Sequence, residues 1–352
     1  LGGEVSGPQP SRRVRSRGRR MAPVSPRSAQ ATRTGPGRQT GAVTRLQSMM
    51  LSSAVFSFVT WAGFALFAPD ARAPDPSLWA TVSGPELRVA FGGIGDRAPL
   101  RYRPEAGARS RRELWMMENG RSEAGPELLT DSTWEARLAV DCRVREIGAD
   151  GSIRFTWQVD DVEVLRADSK GRLPGLALRE ALEALDGLEG ESLLDERGLV
   201  LSSSTKGGGS PGALGPALRV AVERILAEPV PPLPVEPLGE RAEWDVRRTT
   251  LDGGARTEWT ERWKLLEEQP GRWGLQATLV GEGEAPRVGL PGGGEAGVAT
   301  HEGSGAWSLD LRTLAMEGEG TARSEGRSSI LLGPAPVEIL SSSSSELRLR
   351  PR

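Results

Sequence analysis

The sequence predicts a mainly β (α+β) fold, a curved antiparallel sheet or half-barrel packed on two amphipathic helices. Three observations predict it. Apolar and polar residues alternate with period two over long runs in the second and third hundred residues. Glycine (45) and proline (26) are abundant, which favours short connections over long helices. Only two stretches show the i, i+3, i+4, i+7 spacing of a helix with one apolar stripe.

Read in chain order, residues 1–48 hold ten arginines against a single acid, Glu4, so the near-neutral total of −2 divides into +9 here and −11 beyond. The segment is rich in Ser, Pro and Gly and builds no core, and is expected to be a disordered basic leader. Residues 49–73 follow with the three parts of a secretory signal in order. Arg45 supplies the positive flank, Ala54 to Ala68 the apolar stretch, and Ala71-Arg72-Ala73 a small-x-small cleavage site. The competing reading is an uncleaved membrane anchor over 49–68, just long enough to span. A signal belongs near a translation start, so the expected start is Met21 or Met49, with some or all of residues 1–48 an over-extended reading of the gene. No cysteine follows the apolar stretch, which excludes lipid anchoring by that route. Residues 74–98 read as a linker or a weak first strand.

The β-rich domain is expected over 99–352, as two similar halves joined near 229–237. Trp134, Ala136, Leu138, Val140, Cys142 and Val144 alternate with polar residues without a miss. After a Gly-Ala-Asp-Gly turn at 148–151 come Ile153, Phe155, Trp157 and Val159, completing a hairpin. The phase then slips at Asp160-Asp161, as a β-bulge would produce. In the second half the strand signals are Ala242, Trp244 and Val246, then Trp259, Trp263 and Leu265, then Trp273 to Leu279, Trp307 to Leu311, and finally Glu346 to Arg350. Between the halves, Leu178, Ala181, Leu182 and Leu185 mark one helix and Leu214, Leu218, Val222 and Ile225 a second. The proline-rich stretch 229–237 reads as an extended, semi-rigid connector.

Several short elements carry a resemblance: Leu100-Arg-Tyr102 with Gly107, Val144-Arg-Glu-Ile147 leading to Gly151, Leu188-Glu-Gly-Glu191 with Gly198, and Gly303 to Asp310. On these the chain resembles secreted or lipoprotein-type bacterial proteins of unknown function. It is similar in turn to the half-barrels of periplasmic lipoprotein-carrier and lipid-carrier proteins, in which a bent sheet wraps helices. The resemblance implies an exported carrier and brings no catalytic residues.

Chemistry-bearing motifs are sparse. One Cys and one His exclude an internal disulfide and a Cys/His zinc site. Gly292 to Gly297 matches G-x-G-x-x-G but lacks the preceding strand and following helix that a dinucleotide site needs. Ser203-Ser-Thr-Lys206 matches S-x-x-K, yet the glycines after it oppose the helix that would bring Lys to Ser. His301-Glu302 lacks the second His of a zincin and reads as an exposed loop or strand-edge residue. Cys142 falls on an apolar strand face and reads as a small hydrophobe. The serines 341–345 read as a linker or a strand without packing demand. Glu258, Glu261 and Asp310 would indicate an enzyme only if they met in one cleft. The expectation is therefore a non-enzymatic protein with no metal and no cofactor.

Tryptophan is the exception. The sequence has ten and a single tyrosine. Trp157, Trp244, Trp259, Trp263, Trp273 and Trp307 lie at inward positions and are either core fillers or the lining of an apolar cavity for a lipid-like ligand. The expected function is an exported cell-envelope protein, periplasmic or extracellular, that binds an apolar ligand. The alternative is a structural or protein-interaction module with a filled core. The expected partners are a lipid or other apolar ligand, or an envelope protein. Nucleic acid is excluded by the acidity beyond residue 48, and membrane contact is expected only through an uncleaved N-terminal segment.

Overall fold

The structure is a computed structural model that describes residues 80–171, 174–209, 215–252, 255–269, 272–285, 294–332 and 335–352, all within one compact unit. The basic leader and the signal-type segment lie outside the described residues.

Fourteen strands and two helices are described. The strands are β1 (Ala80–Phe91), β2 (Ile94–Ala98), β3 (Arg109–Ala124), β4 (Glu127–Ile147), β5 (Ile153–Gly171), β6 (Leu188–Leu194) and β7 (Val200–Gly207) in the first half. The second half supplies β8 (Leu238–Glu240), β9 (Glu243–Asp252), β10 (Ala255–Gln269), β11 (Arg272–Ala285), β12 (Gly294–Asp310), β13 (Ala315–Leu332) and β14 (Ala335–Pro351). Helices α1 (Gly175–Glu183) and α2 (Gly215–Ala227) lie between β5 and β6 and between β7 and β8. Twelve strands form one antiparallel sheet in the order β1-β9-β10-β11-β12-β13-β14-β3-β4-β5-β6-β7, and β2 pairs with β8 beside it.

The sheet curls strongly. The adjacent amides of Tyr102 and Arg103 donate to Glu196 O at 2.8 Å and Leu311 O at 2.9 Å. These carbonyls sit in the β6–β7 and β12–β13 turns, six strands apart in the sheet. Flat, six spacings of about 4.8 Å would separate them by roughly 29 Å; two neighbouring amides reach only about 10 Å. Bulges supply the bend. The β4–β5 register breaks at three places, and one leaves Asp160 unpaired between Val140↔Val159 and Ala139↔Asp161.

The expected half-barrel on two amphipathic helices is the fold observed. Leu178, Ala181, Leu182 and Leu185 of α1 and its exit are buried, as are Leu218, Val222 and Ile225 of α2. α1 rests on β4 and β5, and α2 on β6 and β7. Both helices join one core with the inner faces of β3–β5 and β9–β14.

Two elements take the strand reading that was left open beside a linker, and two depart from expectation. Residues 80–91, within the stretch expected as a linker or a weak first strand, form β1, an edge strand paired with β9. The connector 229–237 is largely buried, with Val230 and Leu233 in the core. Its carbonyls are taken up from both sides: Tyr102 Oη donates to Pro231 O at 2.6 Å and Trp244 Nε1 to Pro232 O at 3.0 Å. Proline lacks an N–H but keeps its carbonyl, so such a stretch tolerates burial when acceptors are all that needs satisfying. The serines 341–345 lie within β14, between β13 and β3. Finally, His301 is in β12, paired on both sides and 4% exposed, not at an edge or in a loop. The serines and His301 share a cause: the concave wall accepts small and polar side chains, so burial there leaves no apolar alternation to read.

Candidate functional site

Cross-strand partners in an antiparallel pair share a face, so the register defines the inner wall row by row. At the end of the sheet near residues 109, 243 and 310 the inner positions are large and apolar. Leu114 and Met116 of β3, Trp244 and Val246 of β9, Trp263 and Leu265 of β10, Trp307 and Leu309 of β12 and Leu347 and Leu349 of β14 all join the helix-packed core. Towards the other end the same faces carry Ser122 on β3, Ala299 on β12, Ala322 and Ser324 on β13, and Ser343 and Ser345 on β14. The wall thus has a filled tier and a tier of small side chains. A separate apolar cluster of Trp259, Leu279 and Ala322 belongs to the second tier, apart from the helix core.

A polar row crosses the second tier. Direct register links run from Arg248 through Trp259 and Gly281 to His301 and Ser324. The His301 ring lies 4.6 Å from the Trp259 ring, tilted by 37°, and Trp259 Nε1 donates to Thr250 Oγ1 at 3.0 Å. Beside this row is a buried charge cluster. Arg248 Nη1 stands 3.4 Å from Glu228 Oε2, and Arg248 Nε 3.3 Å from Glu261 Oε1. Trp263 Nε1 donates to Glu261 Oε2 at 3.2 Å. Burial pushes the Glu228 carboxyl up to about 8 against the pull of Arg248, and Glu261 upward for the same reason.

The six tryptophans all face inward. Trp157, Trp244, Trp263 and Trp307 are buried in the main core, Trp259 is buried in the second cluster, and Trp273 is partly buried against the main core. Three of them lie across glycines of a neighbouring strand. A Cβ on Gly281 would meet Trp259 Cε3 at 2.5 Å, and one on Gly320 would meet Trp307 Cζ2 at 3.1 Å. Gly190, the cross-strand partner of Trp157, leaves no room for a Cβ beneath that indole. The rings are laid along the wall rather than pointed at its axis.

The remaining candidates separate. Glu261 is inward and buried, Glu258 is exposed with Arg256 at 3.1 Å, and Asp310 accepts from the Arg312 amide at 2.8 Å at the end of β12. The three acids do not share a cleft. Ser203 and Lys206 lie on strand β7, three residues apart and so on opposite faces. Gly292 and Gly293 lie outside the described residues, and Gly294 to Gly297 open β12. Cys142 is a buried free thiol whose pKa burial raises. A cavity of about 10 Å³, close to one water in size, adjoins it between Arg112 and Ile225.

Among the described residues no group of three or more His, Cys, Asp or Glu is placed to hold a metal, and no helix is long and apolar enough to cross a membrane. Two further hollows lie on the outer face. One of about 600 Å³ is lined by polar side chains including Arg143, Lys206 and Glu191, and one of about 470 Å³ by Arg121, Val298, Arg327 and Leu340 among others. Sequence reading missed the polar row and the charge cluster. Glu228 directly precedes Pro229 at the end of a helix pattern, and Arg248 continues the inward phase of Trp244 and Val246; that phase is the signal that locates it.

Neither a family model nor a curated protein matches the chain. Among solved structures, an outer membrane channel from Pseudomonas putida F1 aligns over 71% of this chain and 97% of its own at 10% identity. Its TM-score of 0.15 carries no argument about the fold or the site.

Proposed function

We propose that the protein is an exported, non-enzymatic cell-envelope protein that holds an elongated apolar ligand, of the acyl-chain type, against the small-residue tier of its curved sheet. The observation that carries this reading is the contrast between the two tiers of one wall. Where helices cover the sheet, the inner positions are Leu, Met and Trp. Towards the other end they are mostly Gly, Ala and Ser on five consecutive strands, β11 to β14 and β3, interrupted by Leu279, His301, Ile339 and Glu118. Side chains of that size on a concave surface leave room, and Trp259, Leu279 and Ala322 give it an apolar patch. The tryptophans then serve two purposes, filling the core in the helix tier and, through Trp259, forming one flank of the site. Export is supported by the signal-type segment 49–73, and the acidity beyond residue 48 fits a soluble exported chain without nucleic-acid contact.

The test is native mass spectrometry of the chain purified from an envelope fraction, followed by titration with a fluorescent fatty acid. The expected results are a co-purifying lipid-like mass and saturable binding. Ser343→Trp, placed on the inner wall where the serine is half-buried, is expected to abolish binding while leaving the fold intact by circular dichroism. Absence of both mass and binding would instead favour the filled-core interaction module.

A further inference from the structure

We propose that Glu228, Arg248 and Glu261 form a protonation-controlled latch that fastens the end of α2, and the buried stretch 229–234 after it, to strands β9 and β10. The geometry carries the idea. Glu228 is the first residue after α2, Arg248 belongs to β9 and Glu261 to β10, so one guanidinium ties the interior layer to the sheet. The side chains of all three are almost wholly buried, at 5%, 1% and 1% exposure. Two carboxylates thus share Arg248 in a site poor in water. Glu261 has a second donor in Trp263 Nε1, whereas Glu228 Oε1 has no hydrogen-bond partner among the described residues. Charged groups face Glu228 from each element packed there: Arg248 from β9, Glu261 from β10 and Arg224 from α2 itself.

The consequences follow from solvation. With Glu228 protonated, Arg248 and Glu261 form a neutral pair and the neutral carboxyl completes the contact. When Glu228 loses its proton, a second buried negative charge competes for one guanidinium with one oxygen unsatisfied. The cheapest relief is to let that carboxylate reach water, which separates the end of α2 and the stretch behind it from β9. The latch is closed at neutral and mildly acidic pH, opens above about pH 8, and does not depend on what the small-residue tier holds.

Hydrogen exchange by mass spectrometry on the full chain, corrected for the intrinsic pH dependence of exchange, tests this. Between pH 6.5 and 9.5, peptides covering 222–238 are expected to lose protection by more than about tenfold, the change that one pK unit of linkage produces. Peptides from the β4–β5 hairpin are expected to keep theirs. Glu228→Gln, which cannot ionise, is expected to remove the pH dependence. Glu261→Gln keeps an acceptor for Trp263 but leaves Arg248 to Glu228 alone, and is expected to remove it as well; this second variant keeps the test decisive if the first does not fold. Equal loss of protection in wild type and a folded variant, or no loss in wild type, overturns the latch.

Discussion

A tryptophan laid across a glycine recurs on the inner wall, and it makes the glycines the sensitive partners. Trp259 is buried and its indole is also committed to Thr250, so it has no room to yield to a side chain at Gly281. Gly281→Val is expected to destabilise the protein by about 1–3 kcal/mol, as overpacking of a filled site does, measured as a lowered urea midpoint at unchanged m-value. At Cys142 the expectation concerns reactivity. Burial holds the thiol protonated, and the thiolate is the reactive form. Iodoacetamide is expected to leave Cys142 unmodified in the folded protein and to label it fully in denaturant; labelling at native conditions would mean that β4 opens locally. The inward placement of the tryptophans and of Cys142 was legible because each sits in an unbroken apolar alternation. The burial of His301 was not, since its inner neighbours along β12 are Gly303 and Ala299, which carry no apolar signal.

At the scale of elements, the filled-tier ends of β11, β12 and β14 were readable, and their continuations through the small-residue tier, like the whole of β13, were not. β4, β5 and the opening of β9 alternate large apolar with charged residues. β13 alternates Gly318, Gly320, Ala322, Ser324 and Gly326 with Glu317, Glu319, Arg323, Glu325 and Arg327. Its period is two, but the contrast is small against charged, which a hydrophobicity pattern does not register. The stretch 229–237 was misread for a related reason. Its prolines do specify an extended chain, but what buries it is acceptor chemistry: the carbonyls of Pro231, Pro232 and, through Arg101 at 3.2 Å, Pro234 are claimed by side chains, with Leu233 N bonded to Arg197 O among them. Trp244→Phe and Tyr102→Phe each strand one buried carbonyl and are expected to cost about 1–3 kcal/mol apiece. The two act on neighbouring residues of one stretch, so their double mutant is expected to cost less than the sum, as read from paired urea titrations.

For the molecule as a whole, the charge cluster predicts the sign of a pH dependence. The Glu228 carboxyl is raised from its ordinary range to about 8 in the folded chain. Between those limits the folded state keeps a proton that the unfolded state has released, so unfolding free energy falls as pH rises through the window and this contribution is exhausted above about pH 8. The fall is of the order of a few kcal/mol, and chemical denaturation at pH 5, 7 and 9 on wild type and Glu228→Gln reads it directly; parallel profiles would assign the effect to other groups. The fold class was legible from periodicity alone, but the strand order was not. Hairpins follow from adjacent strands, whereas the pairing of β14 with β3 joins segments more than two hundred residues apart, and no local pattern encodes it.

That pairing lies in the interior of the sheet, with β13 on one side and β4 on the other, and this has a kinetic consequence. Until β14 arrives, β3 and β13 each present a bare edge of unpaired amides and carbonyls, the kind of template on which chains associate wrongly. Every contact of the seam must close a very long loop before it gains anything, so refolding is expected to be slow, on the scale of seconds rather than milliseconds, and to lose yield steeply with concentration. Under the proposed export, the same long-range stitch would suit passage in an unfolded state, because neither half can bury its own edge until the other is present.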